Sequence, residues 1–285
     1  MRDVAIDPTC PLAKPHRRWG ECLDGGLGGA GGGNQPNSIS LQFQRITFNH
    51  GLYTFLLNEE KLAQVYLSSR SVISWAESSL IAENFWPQQL LRIRKLADTG
   101  PIAGKRGVYS LSALLKDIHD NAHLLTWENI QAAEPTIAVG PQIQEWREND
   151  VRELEEFGIG QFVMGMQKKV QDAVSKINAI SNKFIAHSAT PLSIQSDPLS
   201  SQSVKLGEFW NCVRTLAKVE RSIERYILGR TIPLVAFQAH VGLMFGPPDD
   251  GVRRLDQHMD AQREEAGLWK GWDIGEIVST AKPAE

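Results

Sequence analysis

The sequence is poor in the features that mark several protein classes. It has three cysteines in 285 residues, Cys10, Cys22 and Cys212. That is an odd number and too few for a disulfide framework, and it fits a reducing cytoplasm. No apolar run approaches the roughly 20 residues that a membrane-spanning helix needs. Lys14, Arg17 and Arg18 near the start are followed by no apolar segment, so the start is not read as a secretory signal. An excess of one charge is missing too. Thirty basic residues face 33 acidic ones, for a formal net charge of −3. Any nucleic-acid contact therefore has to be a local patch. Strands do not alternate with helices, which argues against a parallel α/β sheet, and no internal repeat or sustained heptad is present.

What is there is helical periodicity. Residues 1–38 read as a tail excluded from the fold, because eight glycines fall between Gly20 and Gly33 and such a piece buries too little apolar surface to order itself. Cys10 and Cys22 lie in that stretch. From Leu41 onward, Phe43, Ile46, Phe48, Tyr53 and Leu56 recur about once a turn. A second helix starts at an Asn58 cap, with Glu59 and Glu60 in its first turn. A third places Trp86, Leu90, Ile93 and Ala97 on one stripe, with Pro87 in its first turn and Arg92, Arg94 and Lys95 on its sides. Ser110 is expected to cap "SLSALLKDIHDNA". Residues 124–140 are ambiguous. Residues 142–187 read as a long helix loosened by Gly158, Gly160 and Gly165. The helix over 204–228 buries Leu206, Phe209, Val213, Leu216, Ile223 and Ile227, with Lys218, Glu220, Arg221 and Glu224 on the remaining face. The expected fold is an all-α helical bundle over residues 41–230, with a short mixed C-terminal extension over 231–285.

Four stretches carry residues capable of chemistry. In "HDNAH", His119 and His123 stand at i and i+4, the spacing of a zinc helix, but no clear third ligand follows, and two polar residues at a helix end are the simpler reading. "GGLGGAGGG" follows no strand and precedes no G-K-[ST], so it is not a phosphate loop. There is no G-x-S-x-G, and His50 and His240 have no evident catalytic partner in the sequence. In "SNKFIAHSAT", Lys183 and His187 can share a helix face with Asn182 beside them. A histidine near neutral pH can move a proton, and a nearby cation can stabilise the extra charge of a phosphorane formed when an RNA 2′-OH attacks. Such a site needs no metal and no cofactor. The plainer reading is a polar cluster closing a helix, with His187 near its last carbonyls.

"ISNKFIAHSA" resembles the signature of the HEPN superfamily (higher eukaryotes and prokaryotes nucleotide-binding), in the branch named after abortive-infection protein U, where the motif reads R-N-K-x-x-A-H. "LLRIRKLADTGPIAGKRGVYSLSALLKDI" is similar to that branch's helix ending in an Arg-Leu-x-Asp phrase, its loop and its Ser-Leu helix. The helix after the motif falls where the family's closing helix does. The resemblance spans roughly residues 41–230. It implies a helical bundle, often a homodimer with the motif in a cleft at the interface. Many members are metal-independent RNA endonucleases of phage-defence and toxin–antitoxin systems, which brings in RNA and an antitoxin-like partner. Others are inactive binding or dimerisation modules. Asn182, Lys183, Ala186 and His187 match the motif, whereas the family's arginine falls on Ser181, which cannot present a bidentate cation to phosphate. If the chain cleaves RNA, the resemblance implies His187 as general base or acid, with Asn182 and Lys183 orienting and neutralising a phosphate. Arg92 or Arg94 are candidates to supply the missing cation.

Overall fold

The computed structural model describes residues 9–24, 38–58, 75–102, 107–133, 141–181, 204–229, 257 and 272–281. Among these residues the structure is helical, without strands. In chain order the helices are α1 (Ala13–Asp24), α2 (Ile39–Asn58), α3 (Trp75–Leu96), α4 (Leu111–Asp120), α5 (Trp127–Ala133), α6 (Pro141–Phe157), α7 (Ile159–Ile180), α8 (Leu206–Ser222) and α9 (Ile274–Ala281). A 3₁₀ turn over Ala122–Leu124 follows α4, and a π turn over Ile223–Ile227 continues α8. The all-α expectation is met.

The bundle is organised around α7, on which α3, α4, α6, α8 and α9 all pack. Its sequence explains this. Phe162, Val163, Met166, Val170, Val174 and Ile177 recur at three and four and are all buried. Helix α8 folds back antiparallel to it. Lys176 Nζ near the end of α7 lies 2.9 Å from Glu208 at the start of α8, and Phe162 at the start of α7 meets Tyr226 edge-on beyond the end of α8, with ring centroids 5.4 Å apart. Ser110 caps α4 as expected: its Oγ accepts from the Ala113 N–H at 3.1 Å and donates to the Asp98 carbonyl.

Three expectations need correction. The first concerns the tail. Residues 13–24 form α1, which packs on α2, α4 and α5, and Leu12, Trp19, Cys22 and Leu23 are buried. Trp19 Nε1 donates to Asp117 Oδ2 at 2.7 Å, and Arg18 donates to the same carboxylate at 2.5 Å. Burying the indole, with its N–H satisfied, contributes roughly 3 kcal/mol or more. The glycines from Gly25 onward obscured one short amphipathic helix placed just before them; they themselves lie outside the described residues. The three cysteines are buried free thiols. Burial pushes Cys22 and Cys212 up to about 12, which leaves them inert as nucleophiles.

The second correction concerns Pro87, which sits inside α3 and not in a first turn. An interior proline costs about 3 kcal/mol. The neighbouring aromatics oppose that cost: Trp86 meets Phe209 of α8 edge-on, with centroids 5.4 Å apart, and Phe85 packs against both. The second helix, read from an Asn58 cap, falls largely on residues 59–74, outside the described residues; Asn58 itself ends α2 instead of capping a new helix, and the stretch from Trp75 onward belongs to α3.

The third correction concerns the C-terminal extension. Ile274, Ile277 and Val278 of α9 are buried and join the same core as α1 and α7. Helix α9 lies directly on Gly165, where a Cβ would come within 2.3 Å of the Ile277 carbonyl oxygen. Gly165 is therefore the contact point for α9 and not a loose spot in a helix. Gly158 does break the long helical reading: at φ 86° it separates α6 from α7, a backbone region that favours glycine.

The π turn needs support, because it leaves carbonyls beyond a helix end. Leu228 N–H bonds back to the Ile223 carbonyl at 3.0 Å. Arg147 of α6 is buried and donates to the carbonyls of Arg225, Tyr226 and Ile227 at 3.0, 2.9 and 3.0 Å. Arg225 in turn grips Asp150 of α6 through two hydrogen bonds, at 3.0 and 2.9 Å.

Candidate functional site around the end of helix α7

Helix α7 runs into the motif. Its last residue is Ile180, and Ser181 continues in right-handed geometry at φ −61° and ψ −42°, its N–H still bonded to the carbonyls of Asn178 and Ile177. Asn182, Lys183 and His187 lie outside the described residues. Ser181, at the position of the family's arginine, is fully buried, and its Oγ has no hydrogen-bond partner. The side chain therefore faces the core. A guanidinium here would have to displace packed atoms before it reached solvent.

The start of α8 fixes this end of α7. Glu208 accepts from Lys176 Nζ at 3.0 and 2.9 Å and from the Lys205 backbone N–H at 3.0 Å. The Lys176 ammonium beside it holds the Glu208 carboxyl below its usual range. Beyond Glu208 lies an aromatic wall. His50 of α2 stacks on Trp210 with centroids 3.9 Å apart and planes 17° apart, while Phe209 meets Phe85 and Trp86. His50 is buried, so it is a packed core histidine. His240 lies outside the described residues.

The two arginines considered for a supporting cation both lie on α3. Arg94 is partly exposed. Arg92 is partly buried and neighbours Arg45 of α2; burial first, and then the Arg45 charge, push its guanidinium below the usual range.

The His119/His123 pair does not form a metal helix. Helix α4 stops at Asp120, and Asn121 closes it by donating from Nδ2 to the Asp117 carbonyl at 2.7 Å. His123 then sits in the 3₁₀ turn, so the shared face is lost, and both rings are exposed. Among the described residues no group of three His, Cys, Asp or Glu side chains could hold a metal ion.

One cluster was assigned to the wrong environment by sequence reasoning. Glu220 and Glu224 are buried, although the wheel of α8 put them on its polar face. Ser40 Oγ of α2 donates to Glu220 Oε1 at 2.7 Å, and Arg221 Nη1 donates to Glu224 Oε2 at 2.7 Å. Burial, and then the Glu224 charge, push Glu220 up to about 8; burial also raises Glu224. No local signal marked this: α8 packs on both α7 and α2, and that packing buries part of the face the wheel had left polar.

Comparison with known proteins adds no relative: no family model, no curated protein and no solved structure matches the chain. No helix among the described residues is long and apolar enough to cross a membrane.

Proposed function

We propose that the chain is a HEPN-like helical protein related to the metal-independent RNA endonucleases of phage-defence and toxin–antitoxin systems, and that it acts on or binds RNA. The observation that supports this most is the setting of the motif. The central helix of an all-α bundle ends at Ile180, immediately before Ser181, the first residue of the motif, and the next described helix folds back along it. On this reading His187 moves the proton, while Asn182 and Lys183 hold and neutralise the phosphate, with no metal and no cofactor. A cytoplasmic homodimer, held in check by an antitoxin-like partner, is the assembly this reading expects.

A second reading has its own observation. Ser181 not only lacks the family's cation but faces inward, which favours a catalytically inactive binding or dimerisation module. The two separate in a ribonuclease assay on tRNA and total RNA with EDTA present. Cleavage by the wild type that disappears in His187→Ala, with an unchanged circular dichroism spectrum, supports the nuclease. Cleavage that survives His187→Ala sinks the assignment of His187. An inert wild type beside a folded, cleaving Ser181→Arg variant identifies a disarmed nuclease. If wild type and both variants are inert, the binding module leads.

A further inference from the structure

Two lysines converge on one tryptophan where α7, α8 and the approach to α9 come together. Trp272, two residues before α9, is tied to α8 by its backbone N–H, which donates to Ser222 Oγ at 3.2 Å. Lys169 of α7 holds its Nζ 4.5 Å from the centroid of the Trp272 ring, and Lys218 of α8 holds its own 5.3 Å from that ring. All three side chains are partly exposed. Neither ammonium forms an ion pair or hydrogen bond among the described residues.

Other lysines at the surface of this bundle have carboxylates. Lys116 has Asp120, Lys168 has Asp172 and Lys176 has Glu208, at 2.9, 3.1 and 2.9 Å. The two acids that act on Lys169 are engaged elsewhere: Asp172 holds Lys168, and Glu276 Oε2 accepts from the Asp273 N–H at 3.3 Å. Burial keeps the Lys169 ammonium below its usual range; the Glu276 charge opposes this and the Lys218 charge adds to it. Two like charges therefore share an indole, with no carboxylate between them.

A second tryptophan extends this face. Arg225 Nη1 lies 4.0 Å from Oδ1 of Asp273, the neighbour of Trp272, and its guanidinium carbon lies 5.5 Å from the centroid of the Trp146 ring on α6. Trp146 is partly exposed too. Arg225 is fixed by Asp150, so it spaces the two indoles and is not a free cation.

Unpaired cations beside exposed aromatic rings suit a single-stranded nucleic acid, whose phosphates need positive charge and whose bases need a flat apolar surface. A cation–π contact at a partly exposed site is weak, and the flexible lysine stem lets the ammonium exchange the ring for a phosphate. The ring so uncovered is open to a base. An acidic peptide would use the two cations and leave both indoles idle.

We propose that Lys169, Lys218 and Trp272, with Trp146 beside them, form a binding surface for single-stranded RNA, the ammonium groups meeting backbone phosphates and the indoles stacking on bases. The choice of RNA rests on the reading above, but the surface is separate from the motif. Lys169 stands midway along α7, and Tyr226, next to Arg225, packs on Phe162 at the start of that helix, whereas the motif follows its end.

The test follows binding of a fluorescent single-stranded 2′-O-methyl RNA, which a 2′-OH-dependent nuclease cannot cut, by anisotropy over a salt series. It compares the full-length wild type with Lys169→Gln/Lys218→Gln, Trp272→Leu, Trp272→Phe and the control Lys116→Gln, with folding checked by circular dichroism. The lysine pair variant is expected to bind at least ~10-fold more weakly, with a salt slope shallower by about one. Trp272→Leu is expected to lose about 5-fold or more with the slope unchanged, and Trp272→Phe, which keeps a ring, to lose less. Lys116→Gln is expected to match wild type. Should Trp272→Leu fail to fold, the lysine pair and Trp272→Phe decide. The proposal is overturned if wild type does not bind at low salt, or if the lysine pair variant binds as tightly as wild type. It is also overturned if the tryptophan variants bind like wild type and poly-glutamate competes as well as RNA, which would make the partner an acidic polypeptide. Binding of the uncut oligonucleotide is independent of cleavage, so an inert wild type in the ribonuclease assay sinks the nuclease and leaves this surface standing.

Discussion

Arg147 and Arg92 are both arginines held against the core, and their surroundings differ in kind. At the π-turn end of the bundle, Arg147 meets three carbonyls left over by the turn, while Asp150 and Arg225 pair beside it. On α3, Arg92 is half-buried with its Nε unpartnered, one turn from Gln89, whose buried amide has no partner either. One end uses polar groups to stabilise the fold, and the other carries them at a cost to it.

The largest expected effect breaks the satisfied side of this comparison. Arg147→Ala strands three carbonyls at the π turn and should cost roughly 3 kcal/mol in chemical denaturation. Arg147→Lys should recover only part of that, because an ammonium on a flexible stem does not span three acceptors in a row. A loss below ~1 kcal/mol would mean that water serves the turn equally well.

Next comes the packing of that same end. Gly165→Val drives a side chain into the Ile277 carbonyl and should undock α9, at about 1–3 kcal/mol. Faster hydrogen exchange confined to residues 272–281 and the facing turn of α7 would show it. A variant as stable as wild type, with α9 still protected, would contradict the close approach.

A subtler effect concerns Glu220, a third environment in which a buried acid is only half served. Its folded pKa of about 8 lies above its ordinary value, so between those two values the folded state holds more protons than the unfolded state. Stability is therefore fully present at low pH and falls as pH rises toward 8. Because Glu220 and Glu224 interact, they titrate as a pair. Glu220→Gln should remove most of this fall and leave the variant more stable than wild type at pH 8. Identical pH profiles for the two proteins would show that Glu220 is already ionised.

The smallest effect marks the baseline. Arg152 and Glu148 form an exposed pair 2.6 Å apart on α6, and Arg152→Ala should leave the melting curve unchanged within error.

The residues that announced themselves in the sequence did so through period and punctuation. The stripe of Leu90 and Ile93, the Ser110 cap and the inward face of α7 are local patterns, and each stands where the spacing placed it. Helix α1 was hidden by the glycines that follow it, although Trp19 three residues before Cys22 was a local clue to an apolar face. The burial of Glu220 was not legible, since it depends on α2 delivering Ser40 from 180 residues away. Of the candidate site, the motif letters were legible. That Ser181 turns inward, and that Arg92 is half-buried with its Nε unpartnered, were not, because each depends on which neighbour an α-helix meets.

The sequence by itself determined a helical chain, some of its helix boundaries, such as the Ser110 cap, and the absence of a disulfide framework. These follow from side-chain period, caps and composition, which act within a few residues. The tertiary structure alone decided that residues 13–24 and 274–281 belong to the same core, that two glutamates of α8 are buried, and that Arg147 is served while Arg92 is not. Burial and electrostatics depend on atoms brought together from distant parts of the chain, and no local pattern encodes that distance.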